Sequence, residues 1–192
     1  MSLRVLSLVF GLALAASPAL GEGAQRGCSQ APHFDCLIPD GWSSHSQPDY
    51  STKHSKVFGV QLVGPRTPSG AVVSLEASYY SPGNAVHKTA ERFIKRLARL
   101  DGRAVGLPGE KAGPVESVKF QGLAASRFTR TTFDFIRVTK TSDKKVTVQE
   151  EYLVIPAATG YYVLEYRAPP NQFRENREVF EGFKKTFTML VK

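Results

Sequence analysis

The stretch that most narrows the fold runs from Gly160 to Arg167, GYYVLEYR, where Tyr162, Leu164 and Tyr166 alternate with Val163, Glu165 and Arg167. Period-two alternation marks a strand with one buried face. Pro169 and Pro170 follow closely, and because proline donates nothing to a ladder, pairing has to stop there. Residues 34–38, 57–63, 71–80, 115–120, 124–138 and 146–155 also have strand character. Between them stand turn signals: Pro39, Asp40 and Gly41, the connection 64–70, the polar tip 141–145 and the turn 156–160. Residues 43–55, SSHSQPDYSTKHS, read as a polar loop, and Trp42 just ahead of them is expected to pack against the core. The glycine-rich run 101–114 reads as a loop that is not a phosphate loop, because Glu110 puts an acid where the phosphate would sit.

Two segments carry the helical period instead. Over 85–100, Val86, Ala90, Phe93, Ile94, Leu97 and Leu100 recur at spacings of three and four, with Asn84 as the expected N-cap and Asp101 with Gly102 as the stop. Over 172–185, Phe173, Phe180 and Phe183 share one side, and Lys184 and Lys185 suit the negative end of the helix dipole. Each helix has a single apolar face. The simplest cover for both is a sheet, so the expected class is α+β, a central and mainly antiparallel sheet flanked by helices. A hydrophobic share of 42% with 22% charged residues can supply that core and excludes a disordered or collagen-like chain.

The first 21 residues stand apart. Arg4 is followed by an apolar run from Val5 to Ala16, a break at Ser17 and Pro18, and the small residues Ala19 and Gly21, which is the layout of a secretory signal peptide. A membrane anchor needs about 18–20 uninterrupted apolar residues, more than this run offers. Cleavage after residue 21 leaves one domain from 22 to 192 in the periplasm or secreted. Lipid attachment at Cys28 is not expected, since Gln25, Arg26 and Gly27 precede it. In an oxidising compartment Cys28 and Cys36, the only cysteines, are expected to form a short disulfide loop, with two free thiols as the alternative.

A formal charge of +8 raises the question of an anionic partner. At about 100° per residue, Lys88, Arg92, Lys95, Arg96 and Arg99 fall together on the side of the first helix away from its apolar face. That stripe reads either as a solvated face or as a partner-facing surface. Nucleic acid is not expected for an exported chain without a binding module, whose aromatics fall at core positions. An acidic protein or an anionic envelope component suits the charge better, with peripheral membrane association among the forms it can take.

Residues for chemistry are sparse. His33, His45, His54 and His87 make no HExxH or HxH pair, though His45, Asp49 and His54 could assemble a zinc or copper site if their loop folded back; the alternative is a set of solvated histidines. No GxSxG elbow is present. Glu150 and Glu151 are strand neighbours that face opposite ways, so they cannot work as one acid–base couple, and Glu151 is expected in a cross-strand ion pair. The expectation is of no enzyme and no cofactor.

Three short pieces carry a family resemblance: Ile38-Pro39-Asp40-Gly41-Trp42, the entry Phe120-Gln121-Gly122-Leu123-Ala124, and the strand 160–166 leading to the terminal helix and Thr186-Phe187. Together with the order of elements they resemble the PsbP-like fold, an α/β/α sandwich shared by the extrinsic PsbP subunit of photosystem II, DcrB-like bacterial envelope proteins and a Ran-binding nuclear import factor. The resemblance spans about Phe34 to Leu190 and implies a non-catalytic accessory or binding protein, with no catalytic motif to carry over. An envelope relative is the first expectation; a small-molecule or metal carrier with its pocket beneath 43–55, and a photosystem-type extrinsic subunit, are the alternatives.

Overall fold

The computed structural model describes residues 26–46, 55–66, 70–98, 108–137 and 143–191. In chain order the elements are β1 (Phe34–Asp35), β2 (Ser43–Ser46), β3 (Val57–Val63), β4 (Ser74–Tyr80), α1 (Ala90–Leu97), β5 (Lys111–Ala112), β6 (Glu116–Phe120), β7 (Leu123–Arg137), β8 (Asp143–Pro156), β9 (Tyr161–Ala168), α2 (Pro170–Glu175), α3 (Arg177–Thr186) and β10 (Thr188–Met189). The alternation of β9 places it at the centre. It lies between β4 and β8, with Tyr80 and Pro156 both opposite Tyr161, in an antiparallel sheet ordered β2-β3-β4-β9-β8-β7. The far side of β7 is shared by β5 and β6.

Alternate residues then feed two cores. Tyr162, Leu164, Tyr166 and Ala168 join Leu62, Leu75, Leu153 and Ile155 under α3, whose Phe180 and Phe183 close that side. Phe34, Phe180 and Phe187 are no more than 1% exposed, so each contributes roughly 1.5–3 kcal/mol of burial. Tyr161 and Val163 face the other way and join Tyr80, Phe128, Tyr152 and Val154 under Phe93 and Ala90 of α1. The sheet is therefore a middle layer between helices, the α+β sandwich that the two one-faced helices demand. β1 pairs with β10, Phe34 opposite Met189, and seals the rim of the α3 side. Trp42 packs there as expected, 4% exposed. A Cβ on Gly64 would stand 3.0 Å from the indole, so only glycine leaves room for the ring.

Several boundaries differ from expectation. Helix α1 starts at Ala90 with Thr89 as its cap, the Thr89 hydroxyl accepting from Arg92 N at 3.3 Å. Asn84 closes a turn of its own instead, accepting from the amides of His87 and Lys88 at 3.0 Å each. Lys88 sits at φ +63°, in the left-handed region, which no helix can run through. The second helix is two, α2 and α3, broken at Asn176, whose backbone (φ −96°, ψ 11°) leaves the helical region while its side chain donates to Gln172 O at 3.0 Å. Ser43–Ser46, expected as loop, is the edge strand β2, held by the ladder Ser43↔Val63 to Ser46↔Val60. An edge strand exposed on both faces needs no apolar alternation, so its composition carries no strand signal. Part of the glycine-rich run likewise pairs with the sheet, as β5.

Strands β7 and β8 outrun the sheet. The last residue of β9, Ala168, sits opposite Gln149, and β5 reaches only Thr131. Among the described residues, 132–137 and 143–148 therefore continue as a two-stranded ribbon, about 20 Å of it at strand rise.

Candidate functional site

The predicted basic stripe is partly assembled. Arg92, Lys95 and Arg96 are exposed along α1, opposite the buried Phe93 and Ala90. Lys88 is exposed too but belongs to the left-handed turn ahead of the cap, so it is off the helix. Arg99 lies outside the described residues, as do Asp49, His54 and residues 1–21, expected as a signal peptide. Of the metal candidates, His45 is described: it is exposed on β2, its Nε2 3.1 Å from Ser43 Oγ. Among the described residues no group of three or more His, Cys, Asp or Glu side chains is placed to hold a metal ion.

Five cations outside α1 are committed to carboxylates. Arg127 pairs with Glu116, Arg130 and Arg167 with Glu150, Arg167 also with Asp134, Arg177 with Glu151, and Lys184 with Glu181. No ion pair joins Arg92, Lys95 or Arg96 to another described residue. Glu150 and Glu151 do face opposite sides. Glu150 meets the cross-strand arginines, while Glu151, 2% exposed, reaches Arg177 of α3 at 2.7 Å, a helix partner where a strand neighbour was expected. The sequence spacing could not show that pair, because it depends on where α3 lands.

Beneath α1 the sheet carries a polar row that forms no motif in the sequence. The register places Glu76 opposite Glu165, and Glu165 opposite Tyr152. The Tyr152 phenol lies 2.9 Å from Glu150 Oε2 and 3.2 Å from Glu165 Oε1, and Ser78 donates to Glu76 at 2.8 Å. Burial, then the neighbouring charges of Glu76 and Glu150, push the Glu165 carboxyl up to about 8, so it holds its proton at neutral pH. Glu76 and Glu165 line a small cavity of about 160 Å³ with Tyr80, Phe93 and His87. Burial, with Arg96 nearby, holds the His87 imidazole below its ordinary value and neutral. Only strand register brings these carboxylates together; their spacing in sequence is irregular.

A larger cleft of about 370 Å³ opens on the other side, between Ile38, Pro39 and Trp42 and the Val179, Gly182 and Phe183 face of α3. Nothing stands within 4 Å of where a Cβ on Gly182 would lie, so this glycine keeps the cleft open. Cys28 and Cys36 bound the same N-terminal segment and stand at disulfide distance, Cα to Cα 5.0 Å.

No protein-family profile matches the chain, and no curated protein does. Solved structures do. The chain is similar to cyanobacterial PsbP (CyanoP) from Synechocystis, with 12% identity over 92% of this chain and 98% of that one and a TM-score of 0.47. It is similar to PA94 of Pseudomonas aeruginosa, a protein of unknown function, with 12% identity, 83% and 93% coverage and a TM-score of 0.46. It is also similar to LpqN of Mycobacterium tuberculosis, involved in cell envelope biogenesis, with 13% identity, 88% and 87% coverage and a TM-score of 0.46.

Proposed function

We propose that the protein is a non-catalytic accessory protein of the bacterial envelope, exported to the periplasm or secreted, that holds an anionic partner against the exposed cations of α1. One contrast carries the reading: Arg127, Arg130, Arg167, Arg177 and Lys184 are each ion-paired to a carboxylate, while Arg92, Lys95 and Arg96 make no ion pair with a described residue and share their helix with a single acid, Glu91, near Lys95. Cations left uncommitted on a rigid helix form an attractive field toward an acidic surface. The leader-like residues 1–21 and the cysteine pair at disulfide distance support an oxidising, extracytoplasmic setting.

Retention on a polyglutamate resin tests it. The parent chain elutes at raised salt, because screening shortens the reach of exposed charges to about 10 Å at 0.1 M. The triple variant Arg92→Glu, Lys95→Glu, Arg96→Glu elutes earlier; elution at the same salt as the parent removes the proposal.

A second reading, a small-molecule carrier, draws on the 370 Å³ cleft at Trp42 rather than on the space under 43–55. Its size and mostly apolar lining suit a compact apolar ligand. Native mass spectrometry of protein from its own host reads this directly: an adduct lost in the Gly182→Leu variant supports the carrier, and an unliganded mass in the parent goes against it.

A further inference from the structure

The β7–β8 ribbon presents the most exposed large apolar side chain among the described residues. Phe135 is 56% exposed. Phe133, two residues back on the same face, is covered: Lys145 Nζ lies 3.6 Å from its ring centroid, and a Cβ on Gly109 would stand 3.1 Å from it. The ribbon therefore has the means to shield an aromatic ring and leaves the outer one bare. Phe135 sits directly opposite Lys145 in the register, on one face of the ribbon, and the exposed Lys144 is opposite Ile136 on the other; Lys145 Nζ also lies 3.5 Å from Pro108 O. Lys111 of β5, also exposed, lies further in, opposite Thr131. Of the acids here, Asp134 is engaged by Arg167 on the opposite face, Glu110 accepts from the Thr132 hydroxyl at 3.1 Å, and Asp143 stands opposite Arg137 in the register.

We propose that this ribbon is a membrane contact, in which Phe135 enters the head-group region of an anionic lipid bilayer while Lys144 and Lys145 meet the lipid charge. An aromatic ring amid cations is the composition of interfacial anchors, the ring supplying buried apolar area and the lysines the attraction to anionic lipid. Past the neighbouring strands the two faces of the ribbon differ: Ile136 lies 3.7 Å from where a Cβ on Gly70 would stand, whereas Phe135, on the other face, is bare, and a bare ring beside cations fits a soft, continuous surface. The ribbon lies past the Ala168 end of β9, whereas Phe93 of α1 packs at its Tyr161 end. This contact is thus separate from the α1 surface and does not depend on it.

Sedimentation with vesicles tests the proposal, using the full chain and variants that differ only in the ribbon, so that any contribution of the N-terminus is common to all. The parent binds vesicles of phosphatidylglycerol in phosphatidylcholine more strongly than pure phosphatidylcholine. Phe135→Ser and the pair Lys144→Glu, Lys145→Glu each lower that binding about tenfold. Phe135→Trp gives a local readout. The chain has a single native tryptophan, Trp42, which is buried, so a blue shift of emission on adding anionic vesicles reports the ribbon. Thermal melts check that the variants fold, and the Trp variant carries the test if the Ser variant does not.

Unchanged vesicle binding by a folded Phe135→Ser variant, or an unmoved emission of the Phe135→Trp variant, overturns the proposal. An emission shift with polyglutamate and none with vesicles also overturns it, and assigns the ribbon to an acidic protein. Adding the α1 reversals to the Phe135→Trp variant should leave its shift in place, which keeps the fates of the two surfaces distinguishable.

Discussion

The sheet face under α3 and the face under α1 are made from alternate residues of the same strands, yet they handle polar groups in opposite ways. Under α3 most polar atoms are phenol hydroxyls at the ends of long rings, each with a backbone acceptor at the rim, and the buried Glu151 is held by Arg177 of the helix itself. Tyr162 donates to His33 O at 2.7 Å, Tyr166 to Phe173 O at 2.9 Å and Tyr79 to Thr159 O at 2.5 Å. The rings fill the core and carry their one polar atom out of it. Under α1, a helix of 8 residues covers Tyr80, Tyr152 and Val163 and stops. Beyond it the strands carry Glu150, Arg167, Asp134 and Arg130, which neutralise one another. The extent of the covering helix thus decides how much of a sheet face is apolar, and Glu165, with the Tyr152 phenol beside it, marks the border.

That contrast can be broken by measurement. The largest effect is expected at the α3 face: Phe180→Ala, at a side chain with 0% exposure, should cost about 3–5 kcal/mol in urea unfolding. Phe93→Ala should fall at the low end of that range and open α1 locally, seen as faster amide exchange over 90–98 than in the sheet. A larger loss at Phe93 than at Phe180 would reverse the ranking of the two faces. Next, Arg167→Met leaves the partly exposed Asp134 without its cation and the buried Glu150 with Arg130 alone, and roughly 2–3 kcal/mol should go with it.

Glu165 gives the third effect, and its sign is a gain. Its folded value of about 8 lies above the ordinary 4.5, so the folded chain binds a proton that the unfolded chain has lost between those pH values. Stability is accordingly fullest below the ordinary carboxylate value and falls as pH rises through 8. Glu165→Gln should flatten that slope and raise the melting temperature at pH 8 by about 2–4 °C. A variant whose melting temperature keeps the parent's slope between pH 5 and 8 would clear Glu165 of the role. Smallest is the triple charge reversal on α1, about 1 kcal/mol or less, since it touches exposed side chains and the helix dipole alone.

The central architecture was legible because it rests on periodicity. The alternation in 160–167 set the middle strand, 57–63 was bounded to the residue, and the two phenylalanine-bearing helices called for the two outer layers. Less visible was whatever depends on one residue's backbone. Asn84 has the composition of a cap, but the left-handed Lys88 moves the helix start to Thr89, and sequence offers no sign of a lysine at positive φ. Ser43–Ser46 lacked alternation for the reason that an edge strand does not need it. The Glu76, Glu165 and Tyr152 row was hidden by long-range register. Charge on α1 was readable from angular spacing, though the turn removes Lys88 from the helix that carries the other cations.

The pairing of β1 with β10 has a kinetic side. Phe34 cannot find Met189 until nearly the whole described chain has been made, and the Tyr162 phenol, which bridges His33 O and the amide of Val191, waits for the same residues. The seam on the α3 face therefore closes last, after a search over almost the full contour of the chain, and contacts that distant in sequence form slowly. Until residues 188–191 have been made, this seam stays open and the α3 face lacks its rim.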